Sequence, residues 1–210
     1  MIDFGSMASP ANDTNKTVSI DLTKKSQGIE LDLTKANGSH LRTVYFGASW
    51  DPVMTGSPVD IDTTAIALHK DNKWHTIDDV LYFNNRKTSF MEHSEDARTG
   101  AEVSGDGDDE YLTIHLNKVP EDVQEIVLIA TIYDGIANRQ CFGQVRSAVH
   151  INDADSKETL AYIKLSQDYE SDTSVILGSV RRGSKGWVFE TSGQGALIEL
   201  GDVLKQYQGA

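Results

Sequence analysis

Ile126-Val127-Leu128-Ile129-Ala130-Thr131-Ile132 is apolar at every position but Thr131, and five of its seven residues are β-branched, all but Leu128 and Ala130. A run this short and this rich in branched side chains reads as a central strand buried on both faces. It is far too short to cross a bilayer, which takes about 20 apolar residues. Upstream, Tyr111-Leu112-Thr113-Ile114-His115-Leu116 alternates polar and apolar, the pattern of a strand with one face in the core. The same texture extends outward in both directions. Val18–Leu22, Thr43–Phe46, Asp60–Leu68 and Val80–Phe83 precede it; Val145–Ile151, Thr159–Leu165, Ser174–Val180 and Trp187–Thr191 follow. Clusters of Gly, Asn, Asp and Ser separate these segments. Leu197, Leu200, Leu204 and Tyr207 recur at helical spacing and predict one terminal helix. About ten strands and a single helix predict an all-β fold, a two-sheet antiparallel β-sandwich with a short C-terminal helix.

The chain has 210 residues, enough for one large all-β domain with its own core. Residues 17–210 are read as that domain. Residues 1–16 are read as a flexible leader in which Gly5-Ser6-Met7 resembles a cloning scar ahead of a native start at Met7. The leader has neither a basic start nor an apolar stretch, so it does not read as a secretion signal, and the expected location is the cytoplasm. Cys141 is the sole cysteine, so no intrachain disulfide forms, and beside Phe142 it is expected to be a small buried hydrophobe rather than a nucleophile.

The net charge of −13 argues against nucleic acid, whose phosphates require clustered Lys and Arg. It favours cations or basic protein surfaces. The charge is concentrated. Glu92, Glu95, Asp96, Glu102, Asp106, Asp108, Asp109 and Glu110 face a single base, Arg98, so eight acids against one base leave −7 within residues 92–110. This stretch is read as a long loop between the strands at Val80 and Tyr111. Two elements, one outside this stretch and one within it, suggest a metal. Asp60 and Asp62 flank Ile61, so on a strand both carboxylates share one face while Ile61 enters the core. In Gly105-Asp106-Gly107-Asp108-Asp109-Glu110 the glycines let the chain curl and aim oxygens at one point. Calcium takes six to eight oxygen ligands in loose geometry, whereas zinc prefers His and Cys, and the six histidines show no ligand spacing. The EF-hand pattern does not fit, because Tyr111 and Asn117 fall where Gly and Glu are needed. From the residues alone two readings stand, a solvated acidic surface and a calcium site.

Several segments match a known pattern in order and spacing: Trp50-Asp51-Pro52, Asp60-Ile61-Asp62, Tyr82-Phe83-Asn84-Asn85, His93 to Gly100, and Gly105 to Glu110. Thr131-Ile132-Tyr133-Asp134, Phe142 to Arg146 and Gly193-Gln194-Gly195 continue it. In these the chain resembles the TerD family of tellurium-resistance and general stress proteins, from about Val18 to Tyr207. Glu95 and Ala97 beside Asp96, and the insertion Ala101–Ser104, depart from that pattern. The resemblance implies a β-sandwich that binds one or two calcium ions in an acidic groove. It implies a ligand set of Asp60, Asp62, Asn84, Asp96, Gly105, Asp106, Gly107, Asp108, Asp109, Glu110 and Asp134. It also implies a non-catalytic role beside other stress-system proteins, and through them at the inner membrane. Two other classes compete with this reading: a calcium-dependent membrane- or carbohydrate-binding sandwich, and a metal-dependent hydrolase. The first lacks exposed aromatic loop tips in residues 92–110, and the second lacks an arranged general base.

Overall fold

In the computed structural model, residues 30–32 (backbone), 41–51, 56–100, 107–184 and 186–209 are described. The strands in chain order are β1 (Glu30–Asp32), β2 (Thr43–Trp50), β3 (Ile61–His69), β4 (Val80–Leu81), β5 (Met91–His93), β6 (Glu110–His115), β7 (Val123–Ile132), β8 (Ser147–Asp153), β9 (Thr159–Ile163), β10 (Ser174–Gly183) and β11 (Gly186–Ala196). Helices α1 (Gly135–Asn138) and α2 (Leu165–Asp168) are single turns, and α3 (Leu200–Tyr207) is the C-terminal helix. One sheet has the order β1-β11-β10-β7-β3-β4, the other β5-β6-β2-β8-β9, and every strand pair within them is antiparallel. The expected all-β sandwich with a terminal helix is what the chain forms.

The apolar run of residues 126–132 lies in β7, between β3 and β10, and its two faces belong to two cores. Ile126, Leu128, Ala130 and Ile132 face the other sheet, alongside Ile61, Ala65 and Ala67 of β3 and Val175 and Leu177 of β10. Val127 and Ile129 face the opposite way and, with Ile66, Leu68 and Val80, pack under Val203 of α3. An antiparallel sheet usually leaves one face wet; here α3 covers that face, which is why the run does not alternate.

The loop after β3 holds α3 in place. Trp74 Nε1 donates to Leu204 O at 3.0 Å, the Trp74 N–H donates to Tyr207 O at 2.9 Å, and Lys73 Nζ donates to Gln206 O at 2.8 Å. These bonds satisfy carbonyls that a helix end leaves unpaired. The helix begins at Leu200 rather than at Leu197, which stands outside it and is 61% exposed; Val203 is the helix residue that is fully buried.

Three expectations change. Residues 92–110 are not one loop, because Met91–His93 form a strand paired with β6, Met91 opposite Ile114 and His93 opposite Leu112. Strand β4 stops at Leu81, and Tyr82 to Asn85 form a turn. Cys141, expected to be buried, is partly exposed. The expected strand Val18–Leu22 and the leader 1–16 lie outside the described residues.

Candidate metal centre

The site begins with an incomplete sheet edge. β4 pairs with β3 only at Ala65 and Ile66, so beyond them the edge of β3 has no neighbouring strand among the described residues. Two side chains take the place of that strand at Thr63. Glu110 Oε2 accepts the Thr63 N–H at 2.8 Å and the Thr63 hydroxyl at 3.0 Å. His93 Nε2 lies 2.9 Å from Thr63 O, and its Nδ1 lies 3.1 Å from Ser94 O. Glu110 heads β6 with the inward parity of Leu112 and Ile114, and His93 has the inward parity of Met91 on β5. Both are therefore delivered by the five-stranded sheet to the edge of the six-stranded one. Their side chains are fully enclosed, with His93 Nε2 3.6 Å from Glu110 Oε2. Burial holds the His93 imidazole below its ordinary value, which favours the neutral ring.

Against this frame lie three aspartates. Asp60, Asp62 and Asp96 each offer a carboxylate oxygen, and these oxygens all lie within 4.8 Å of one another. Two oxygens at about 2.4 Å from one calcium ion are at most about 4.8 Å apart, so the three fit around a single ion. Asp62 is 2% exposed, and Asp60 and Asp96 are half-buried. Glu110 contributes charge to the same place. Burial, then Glu110, Asp60 and Asp96 in that order, push the Asp62 carboxyl up to about 9. Burial, with Asp96 and Asp60, pushes the Glu110 carboxyl up to about 8 against the bonds from Thr63. Glu110 Oε1 is buried and hydrogen-bonded to nothing. An enclosed carboxylate oxygen without a partner is costly, and a cation is one group that satisfies it. The donor set is all oxygen, the preference of a hard cation. Arg98 is the nearby base, and its Nε donates to Asp96 Oδ2 at 2.9 Å.

The expected ligands divide. Asp60, Asp62 and Asp96 come together, with Glu110 beside them. Asp108 is buried but turned to the outer face of the five-stranded sheet, where its Oδ2 accepts from Tyr45 Oη at 2.8 Å and lies 3.2 Å from His150 Nε2. Gly47 on β2 leaves room for that carboxylate, since a Cβ there would collide with it. Asp109 Oδ2 accepts the Trp50 N–H at 2.9 Å. Gly107 has φ of 101°, the left-handed region that favours glycine. Asn84 is exposed at its turn; the bonding asparagine is Asn85, whose Nδ2 donates to Ile77 O and Val80 O. Asp134 is exposed, has φ of 50°, and lines a cavity that also contains Asp62. Gly105 and Asp106 lie outside the described residues. Arg146 Nε lies 3.8 Å from Asp51 Oδ2. Thr63 and His93 frame the site without having been singled out as part of it. Their one sequence signal is that His93 opens the segment containing Asp96. That segment closes at Gly100, where φ is 67° and a Cβ would strike the buried Trp50 ring.

Similarity to known proteins runs along most of the chain. The TerD domain family model matches residues 18–207. Tellurium resistance protein TerD of Serratia marcescens is 36% identical over 186 residues, 87% of this chain and 95% of that protein. General stress protein 16U of Bacillus subtilis (strain 168) is 33% identical over 186 residues, 86% of this chain and 94% of that one. Both are named as resistance or stress proteins, not as enzymes. Among solved structures, a homologue of telluride resistance protein (TerD) from Streptomyces coelicolor A3(2) aligns with a TM-score of 0.65 at 18% identity, covering 78% of this chain and 95% of that one, and shares the fold. No helix among the described residues is long and apolar enough to cross a membrane.

Proposed function

Because this chain belongs to the TerD domain family, whose relatives are named for tellurium resistance and stress, we propose that it is a calcium-binding, non-catalytic stress-response protein. The observation that carries the reading is the convergence of Asp60, Asp62 and Asp96 beside a Glu110 oxygen that is buried and unpartnered. Four carboxyl groups gathered at a sheet edge disfavour one another's ionisation without a cation, and a divalent ion reverses the sign of that interaction. Asp60 and Asp62 come from β3 and its approach, Asp96 from the β5–β6 connection and Glu110 from β6. An ion held by the three aspartates, with the Glu110 charge beside it, ties the two sheets together at this end. Its role is organisational: occupancy sets the charge and rigidity of a surface that another stress-system protein reads, in the cytoplasm or at the inner membrane.

Calorimetric titration tests this. Calcium should bind at one to two ions per chain, more tightly than magnesium or zinc. Tighter binding of zinc than of calcium would remove the assignment, as would an Asp62→Asn variant that binds calcium as the natural chain does.

A further inference from the structure

On the side of Asp62 facing α3 there is a cavity of about 290 Å³. That volume is at the small end for ligand pockets, sized for one long side chain rather than for a nucleotide or an organic cofactor. Three rings, those of Tyr82, Phe83 and Tyr133, stand in its wall. Phe83 meets Tyr82 and Tyr133 edge-on, at centroid distances of 5.2 and 5.6 Å. Leu200 and Leu204 of α3 add apolar surface. The charges are of one sign: Asp62, Asp134 and Glu199 line the cavity, and no Lys, Arg or His is among its described lining residues. Thr131, the cross-strand partner of Asp62, also lines it; Thr131 is 1% exposed and its hydroxyl is buried without a hydrogen-bond partner.

The surroundings of the mouth add a separate observation. Among the described residues the exposed large apolar side chains are Ile77, Tyr133, Ile136 and Leu197. Tyr133 lines the cavity, the Ile136 N–H donates to Glu199 Oε1 at 2.8 Å, and Leu197 is two residues from Glu199. Tyr133 thus belongs to the cavity wall, and Ile136 and Leu197 neighbour Glu199 of that wall, so exposed apolar residues accompany the cavity, as they do an interaction surface.

We propose that this cavity receives a lysine side chain of a partner protein. The alkyl stem packs on Leu204 and the rings, which also attract an ammonium through their faces. The ammonium carries three donors and no acceptor, and it meets Asp62, Asp134 and the Thr131 hydroxyl. The partner backbone crosses Tyr133 and Ile136. Asp62 belongs to both this cavity and the metal centre, so calcium and the lysine compete for its charge, and calcium release favours the partner. That antagonism rests on the calcium reading above; lysine capture does not.

The probe is n-butylammonium, titrated into the full chain without calcium and followed by amide NMR shifts of Thr131, Tyr133 and Gly201, with n-pentanol as the uncharged control. Saturable shifts at these amides are expected with butylammonium and not with pentanol. Asp134→Asn, which suits the positive φ, and Glu199→Gln should each weaken the probe roughly threefold or more. Equal binding of both probes, shifts elsewhere, or unchanged affinity in both variants overturns the proposal. Saturating calcium should weaken the probe. An unchanged probe affinity in a protein that calorimetry shows to bind calcium overturns the antagonism, whereas absence of calcium binding by calorimetry refutes the metal reading and leaves the lysine result to stand on its own titration.

Discussion

Asp62→Asn removes an ionisable carboxyl from the centre of the acidic group while keeping the side chain's shape. In the metal-free protein the folded state holds the Asp62 carboxyl up at about 9, against 3.8 for the ordinary group. A carboxyl raised on folding is fully tolerated below its unfolded value, and its stability contribution is lost progressively as pH climbs toward the folded value. At pH 7 the loss spans roughly 3 pH units at about 1.4 kcal/mol each, an upper limit of about 4 kcal/mol. Asparagine stands in for the protonated acid, so the variant should recover up to that amount at pH 7 and almost nothing at pH 4. For a domain of this size each kcal/mol moves the melting temperature by about 2–4 °C, so the metal-free variant should melt up to about 8–16 °C higher at pH 7. Calcium acts in the opposite sense. At a hundredfold excess over its dissociation constant one bound ion adds about 2.7 kcal/mol to the natural protein, roughly 5–10 °C. In the variant that increment should shrink, because a ligand charge is gone. The assay is thermal unfolding by circular dichroism at pH 4, 5.5 and 7, with chelator and with calcium. A variant that melts lower than the natural chain at pH 7 in chelator, or a gain independent of pH, would show that Asp62 is not held among like charges. An undiminished calcium shift would place the ion elsewhere.

Glu110→Gln should keep an acceptor for the Thr63 N–H and lower calcium affinity by about tenfold, read by calorimetry. With Asp62 at about 9 and Glu110 at about 8, both carboxyls hold protons at pH 7 without metal, so calcium binding should release roughly one to two protons, measured as a dependence of binding heat on buffer ionisation enthalpy. For the same reason metal-free stability should fall as pH rises from about 5 to 8 in denaturant titrations; a rise over that window would contradict it. Val203→Ala, at the fully buried contact between α3 and the outer face of the six-stranded sheet, should cost about 2 kcal/mol without changing calcium affinity.

The fold class and two of the three converging aspartates are legible in local patterns of the chain. Strand periodicity is a local property, so the alternation of Tyr111–Leu116 and the apolar run Ile126–Ile132 announced a sandwich before any contact was known. The parity of Asp60-Ile61-Asp62 likewise put Ile61 in the core, where it is fully buried. Asp96 was reached only through the family resemblance, because nothing local distinguishes it from Glu95 or Glu92. Tertiary structure decided the rest. Asp108 and Glu110 are two residues apart and would share a face on a regular strand, yet Asp108 turns outward to Tyr45 and His150 while Glu110 turns inward to Thr63. Strand β5 was hidden within an acidic stretch because its three residues are held by pairing with β6 rather than by their own propensity. The acidic cluster lies where it does because β4 ends at Leu81 and, among the described residues, leaves Thr63 without a strand on that side. Where a neighbouring strand stops depends on pairing between residues distant in sequence, and no local pattern of side chains encodes it.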